Sequence, residues 1–442
     1  MKYAVLCFWV FWSALGSLRA QVIKFEKDSV RQVFAQARRQ HKPVLLIFSP
    51  PLTATGRPAS TSAAGRPTGL QAPAVVAALN KKFLVKEVAF GSAEALGAAL
   101  RRYQVVSYPS YLYFTPEGDL LYRSRGESTA ETRYLDDMQA VRQAAADPHN
   151  LGYYRRGFDQ GNRSPDFLQG YLRKRRALGQ WVEPALLDTY AQQLPARQFD
   201  RAAEVLFILE FGPVLTSRAS QLTHLNGPLL DSLYKVLPLA QRIQINTLII
   251  NNTLAQAIDT NNARLAALGA DLARTSWLPN YQRGAQSYAS NMLTFYRTTQ
   301  DTANYLRQAV VYYDRYYLSI SADSARSREA TTLARQLTVA QQATQNLPVT
   351  YSMALNNAAW SVYQSGTRRA AYLQPAVLWS RRTLELNPVA AHYDTLAHLL
   401  YRLQRYDEAL AAQRQAIALA RTQQTPTASY EQELTKLQNR SL

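Results

Sequence analysis

Cysteine is nearly absent from this chain, since its 442 residues include a single one, Cys7. One thiol cannot form an intramolecular disulfide, so packing must stabilise any folded part. Thiol–disulfide exchange needs a cysteine thiolate as its nucleophile. The sequence after Cys7 therefore cannot carry out that reaction.

Signatures of other catalytic and metal sites are missing as well. The chain has no His-Glu-x-x-His, no phosphate-binding glycine-rich loop and no Gly-x-Ser-x-Gly. Its histidines do not have zinc-ligand spacing. We predict no metal, no cofactor and no catalytic residue, although an active site assembled from residues distant in sequence stays open. The histidines are His41, His149, His224, His392 and His398.

The first twenty residues have the layout of a secretory signal peptide. Lys2 precedes an almost wholly apolar stretch, residues 3–15, and Ala20 precedes Gln21. We predict export with cleavage after Ala20, which would remove Cys7. A retained anchor is the alternative, but the apolar run is shorter than the ~20 residues of a spanning helix. The mature chain is expected to be periplasmic or secreted, with no membrane span.

The net charge of +19 raises the question of a nucleic-acid partner. The basic residues are scattered in pairs and triplets, such as Arg38 with Arg39, as on the solvated faces of helices. No helix-turn-helix, zinc-finger or RNA-recognition signature accompanies them. We predict no nucleic-acid partner, while unspecific attraction to anionic envelope surfaces stays open.

Helix and strand signals alternate over residues 21–147. Helical spacing covers 29–40, and the continuous apolar run 44–48 is typical of a strand buried on both faces. Ser128 and Glu131 have capping-box spacing, which predicts the start of a helix. The other predicted elements are helices at 74–79 and 94–103, strands at 83–89 and 111–114, and a turn at 116–119 leading to a strand at 120–122.

This order of elements resembles the thioredoxin family, most specifically over residues 103–114. In that family the proline that matches Pro109 follows a cis peptide bond and starts the third central strand. It presents backbone groups to an extended peptide. The resemblance implies an α/β thioredoxin-like domain and a cis bond between Tyr108 and Pro109. It makes Ser107, Tyr108 and Pro109 candidate peptide-binding residues.

The chain departs from the family where the family has its Cys-x-x-Cys motif. Here Ser49 is followed by residues 50–73, which are rich in Thr, Ala, Ser, Gly and Pro. Such a stretch buries little apolar surface, so we predict a flexible insert. It is either a remnant without an active site or a basic binding loop. Ser49 is disfavoured as a substitute nucleophile, because no histidine or acid lies nearby in sequence to activate it.

From about residue 148 the strand signals cease, and residues 148–345 are predicted to be all-α. Ser164 and Pro165 have the pattern of a helix start. This segment resembles the helices that follow the redox domain in exported thioredoxin-family proteins. The tyrosine-rich helix at 303–318 is expected to use its rings for packing. Further helices are predicted at 184–194, 201–210 and 241–257.

Residues 346–442 contain a repeat with an offset of 33 (393−360, 409−376, 416−383), close to the ~34-residue tetratricopeptide period. Its large residues are expected to be largely buried between helix pairs, and its small residues to let paired helices approach closely. A plain helical bundle is the alternative. The repeat-packing residues are Trp360, Ala376, Tyr393, Ala409 and Ala416.

Together these features predict a thioredoxin-like domain followed by a tetratricopeptide-like all-α domain. We expect an exported, redox-inactive adaptor, scaffold or holdase whose partners are proteins or peptides. One alternative is a thiol–disulfide interchange family member whose redox role is lost or supplied by a partner. Another is an envelope scaffold that uses only the helical repeats.

The chain without residues 1–20 is expected to show no insulin-reduction or disulfide-isomerase activity, because it has no sulfur nucleophile. Insulin turbidity measures this, with a thioredoxin as positive control. Turnover that persists after contaminating thioredoxins are removed would contradict the interpretation.

Overall fold

A computed structural model describes residues 22–49, 68–89, 103, 105, 108–341 and 349–442. The chain divides into two compact units. Described residues 22–49, 68–89 and 108–148 belong to the first, and those from 149 onward to the second. The predicted signal peptide, residues 50–67 of the insert, Ser107 and nearly all of the helix predicted at 94–103 lie outside the described residues.

The first unit is a four-stranded mixed sheet with helices. The strand order is β2-β1-β3-β4, with β1 parallel to β2 and antiparallel to β3, which is antiparallel to β4. Each strand predicted from the sequence is present. The elements are α1 (Val30–Gln40), β1 (Val44–Ser49), α2 (Pro73–Lys82), β2 (Leu84–Ala89), β3 (Ser110–Phe114), β4 (Leu120–Arg125) and α3 (Glu131–Ala146).

Strand β1 lies at the centre of this unit, and all six of its residues are buried. Helix α1 covers one face of the sheet, where Phe34 meets Phe114 edge-on at 5.3 Å. Helix α3 covers the other, where Tyr111 and Tyr134 meet at 5.6 Å. A strand covered on both faces has no polar side, which explains the continuous apolar run.

The structure adds one helix cap that was not predicted and differs from the two that were. Ser29 and Gln32 form a capping box at the start of α1. The box predicted at Ser128 is wrong: the N-cap of α3 is Ala130, and the Ser128 hydroxyl accepts from the Ala130 N–H at 3.1 Å instead. Ser164 precedes a helix as predicted but makes no side-chain capping bond.

The last residues of the predicted flexible insert have regular structure, which corrects that prediction for residues 68–73. Gly69 to Gln71 form a turn of 3-10 helix, and the Gly69 N–H donates to the Ser128 carbonyl at 2.8 Å. A Cβ on Gly69 would lie 2.5 Å from the Ala130 carbonyl carbon and oxygen. Glycine allows the two backbones to approach this closely.

The second unit is helical throughout its described residues. A five-residue π-helical turn, Asp314–Leu318, continues one helix, and a short 3-10 helix spans Ala196–Asp200. No helix in the described part of the chain combines the length and hydropathy that a membrane crossing requires. The α-helices are α4 (Leu151–Asp159), α5 (Pro165–Ala177), α6 (Pro184–Gln193), α7 (Ala202–Leu209), α8 (Arg218–Thr223), α9 (Gly227–Val236), α10 (Leu239–Asp259), α11 (Ala263–Thr275), α12 (Tyr281–Thr298), α13 (Thr302–Tyr313), α14 (Ala322–Gln341), α15 (Tyr351–Gln364), α16 (Ala370–Leu386), α17 (Ala390–Arg402), α18 (Tyr406–Thr422) and α19 (Ala428–Gln438).

The first four helices after residue 349 form two successive pairs, followed by α19, but the spacing of these pairs differs from the predicted repeat. Helices α15 and α17 begin 39 residues apart, at Tyr351 and Ala390. Helices α16 and α18 begin 36 residues apart, at Ala370 and Tyr406. The 33-residue offset therefore pairs Trp360, in the third turn of α15, with Tyr393, in the first turn of α17. These two residues are not at equivalent helix positions.

The substitution Gly69→Ala is expected to destabilise the first unit by roughly 1–3 kcal/mol, because the added methyl overlaps the Ala130 backbone. The loss of unfolding free energy is measured by urea unfolding of the whole chain, with hydrogen exchange used to monitor each unit separately. Gly227→Ala is the control: apart from its chain neighbours and its own helix backbone, no atom of the described residues lies within 4 Å of its added Cβ, so a change within ~0.5 kcal/mol is expected. Unchanged stability of Gly69→Ala would contradict the packing described.

Candidate functional site

The described candidate peptide-binding residues lie at one end of the sheet. The register pairs Phe48 with Ser110, so Ser49, the next residue of β1, lies opposite Pro109. The Tyr108–Pro109 peptide bond is cis, as predicted. Pro109 is buried and Tyr108 is half-buried. We call Ser49, Tyr108 and Pro109 the sheet end.

The polar groups of the sheet end differ in their hydrogen-bond partners. The Pro109 carbonyl accepts from the Gly126 N–H at 2.9 Å, so it belongs to the sheet's own hydrogen bonding. The Ser49 hydroxyl is buried and has no hydrogen-bond partner among the described residues. Burial raises the pKa of Tyr108, whose phenol is neutral at pH 7 even at its ordinary pKa of about 10. The described residues thus offer neutral hydrogen-bonding groups here and no base to activate Ser49.

A concave surface lies at the opposite end of the same sheet, and we call it the groove. It encloses about 540 Å³ between the C-terminal half of α3 and the ends of β3 and β4. Its floor is apolar, with Phe83, Leu121 and Met138, while Lys82 and Arg142 stand at its exposed rim. Sequence reasoning missed the groove, because its lining comes from separate elements with no shared motif.

The repeat residues divide into two groups. Ala376, Ala409 and Ala416 are fully buried. Trp360 and Tyr393 are half-buried and retain more exposed surface than the three alanines. The physical reason is the helix spacing described above, which places these two aromatic residues at different heights on their helices.

Trp360 belongs to an aromatic cluster on the surface of the helix pairs. Its ring stacks on Tyr363 at 5.1 Å and meets His398 edge-on at 5.3 Å. The His398 Nδ1 lies 2.8 Å from the Asp394 carbonyl oxygen, and its Nε2 lies 3.3 Å from Glu433 Oε2. Burial raises the pKa of the Asp394 carboxyl, against the opposing effect of His398. The cluster joins α15, α17 and α19.

The tryptophan buried in this unit is Trp379, which sequence reasoning did not single out. It has no exposed surface, and its indole N–H donates to Asp314 Oδ1 at 2.8 Å. Asp314 opens the π-helical turn. The tyrosines of residues 303–318 pack around this point as expected, with Tyr313 5.1 Å from Trp379.

A buried carboxylate was also missed. Glu329 of α14 is almost fully buried and accepts from the Ser352 N–H at 3.0 Å and from the Ser352 hydroxyl. Ser352 lies in the first turn of α15. Negative charge at a helix N-terminus is favourable, so this contact indicates a structural role. Among the described residues no group of metal-ligating side chains is present.

Comparisons of the chain with models of protein families, with curated proteins and with solved structures gave no match.

Trp379→Ala is expected to destabilise the second unit by about 3–5 kcal/mol, the range for emptying a large aromatic site in a core. Trp360→Ala is the matched comparison and should cost less, since part of its side chain is exposed to water whereas Trp379 has no exposed surface. Urea denaturation, monitored by circular dichroism, measures the stability loss of both variants. Equal losses, or a larger loss for Trp360→Ala, would contradict the burial described here.

Proposed function

We propose that this chain is an exported, redox-inactive protein with a thioredoxin-like first unit, which binds extended polypeptide segments as an adaptor or holdase. The order of elements supports the fold: two parallel strands joined through a helix precede an antiparallel hairpin and a closing helix. The sheet order β2-β1-β3-β4 fits that arrangement. The absence of any cysteine after Cys7 supports a role in binding and not in redox chemistry.

The observation that carries the proposal is the position of Ser49 and Tyr108 at one end of the sheet. In the family that the sequence resembles, this end lies beside the redox site and receives an extended peptide. Here its β1 residue is a buried serine whose hydroxyl lacks a partner among the described residues. Buried hydroxyl groups are stabilised by hydrogen bonds, which a peptide backbone can supply.

A second candidate is binding through the helix pairs, as in a scaffold. The observation in its favour is the half-buried stack of Trp360 and Tyr363, over which the Arg402 guanidinium lies at 4.5 Å from the Tyr363 ring. Aromatic and arginine side chains at a surface are typical of protein interfaces. The two candidates use different units and can be separated by substitution.

The test uses the chain without residues 1–20 and a fluorescently labelled, reduced and carboxymethylated α-lactalbumin, which stays unfolded. Fluorescence anisotropy measures binding. Tyr108→Ala is expected to weaken binding about tenfold or more, equivalent to ~1.4 kcal/mol. Leu135→Ala, in the groove, is the control for the first unit and should bind as the parent chain does.

Two outcomes would overturn the proposal. Undiminished binding by Tyr108→Ala together with loss in Trp360→Ala would assign binding to the helix pairs. Absence of binding by the parent chain, with its helical content intact, would remove the adaptor and holdase roles altogether.

A further inference from the structure

An unequal pair of helices leaves apolar side chains uncovered in the second unit. Helix α10 has 21 residues and α11, which packs beside it, has 13. The Asn246 side chain donates to Ser276 Oγ at 3.2 Å, immediately after the end of α11. Helix α11 therefore ends beside the middle of α10 and leaves the first two turns of α10 uncovered. Leu239 and Ile243 lie in those turns and are exposed.

The loop that follows α11 extends this uncovered region. Leu239 and Asn246 are seven residues apart and so lie on the same face of α10. Asn246 holds Ser276, and the chain continues from there through Trp277 and Leu278 to the start of α12. These side chains and the end of α9 form what we call the apolar edge. Its members, between 44% and 77% exposed, are Val236, Leu239, Ile243, Trp277, Leu278 and Tyr281.

The two sequence stretches that supply the apolar edge carry charge of one sign, while Glu210, which accepts from Gln241 in the first turn of α10, is paired with Arg176 at 2.7 Å. Residues 232–258 and 272–300, which supply all six members, contain no Asp or Glu. They contain five basic residues. The Arg283 guanidinium lies 5.0 Å from the Trp277 ring centroid, and Asp271 pairs with Arg274 at 2.8 Å just outside the second stretch. The five basic residues are Lys235, Arg242, Arg274, Arg283 and Arg297, of which Arg297 lies in the last turn of α12, away from the edge.

We propose that the apolar edge docks on the surface of a membrane that carries anionic lipids. Aliphatic side chains enter the boundary between headgroups and acyl chains, while Trp and Tyr occupy the interface itself. Lys and Arg beside them attract anionic headgroups. Large exposed apolar patches of this kind mark interaction sites. The chain would lie on the membrane through this edge without crossing it, and the sheet end is not involved.

The test is co-sedimentation of the chain without residues 1–20 with vesicles. Binding is expected with vesicles that contain phosphatidylglycerol, much less with pure phosphatidylcholine, and less at high salt. Ile243→Ser and Trp277→Ser should each weaken binding about tenfold or more, because each removes apolar surface from the interface. Val311→Ser and Leu378→Ser are matched controls, since both residues are similarly exposed but lie on other helices; they should bind as the parent chain does.

A second readout does not depend on the stability of these variants. Brominated lipids should quench part of the tryptophan fluorescence of the parent chain, and this part should disappear in Trp277→Phe. Equal vesicle binding by Ile243→Ser and Leu378→Ser would overturn the proposal. So would binding to polyglutamate, an acidic polypeptide probe, without binding to phosphatidylglycerol vesicles, because it would identify an acidic protein as the partner.

Discussion

The position of the candidate peptide site depends on the pairing of β1 with a neighbour on each side. Its six buried residues hydrogen-bond in parallel with β2 and antiparallel with β3. A shift of register by one residue would move every side chain of β1 to the opposite face, which the packing of both faces prevents. The pairing therefore fixes where β1 ends and β3 begins. For that reason Ser49 lies opposite Pro109, and Tyr108 stands beside them.

The second unit is stabilised by packing and by hydrogen bonds to irregular backbone, with no cysteine available for a disulfide. A π-helical turn leaves carbonyl groups poorly paired. Here the Tyr351 hydroxyl lies 3.1 Å from the Tyr316 carbonyl oxygen and 2.8 Å from that of Tyr317, and its single proton is shared between these acceptors. Burial raises the pKa of Tyr351 to about 12, so its phenol remains a donor at neutral pH. Trp379 anchors the start of the same turn through Asp314.

Local patterns in the sequence predicted the strands, several individual helices and the all-α character of the chain after about residue 148, since a continuous apolar run or a helical period reports burial along a single element. Contacts between elements were not predictable in the same way. The buried Gly69 depends on how closely the Ala130 backbone approaches, and the exposure of Leu239 depends on the length of α11. The predicted repeat singled out Trp360 by sequence spacing alone and left Trp379 unnoticed, whereas the burial of a tryptophan ring depends on which helices cover it. At the sheet end, the resemblance located Tyr108 and Pro109, but only the strand register placed Ser49 opposite them.

Hydrogen exchange of the whole chain, with and without a saturating unfolded polypeptide, tests most directly whether the sheet end binds peptides. An extended peptide at this end should slow amide exchange in residues 44–49 and 108–114, because bound backbone excludes water and restricts opening of the strands. The account predicts protection in both segments and little change in residues 351–438. Protection confined to residues 351–438, with both strands unchanged, would contradict it.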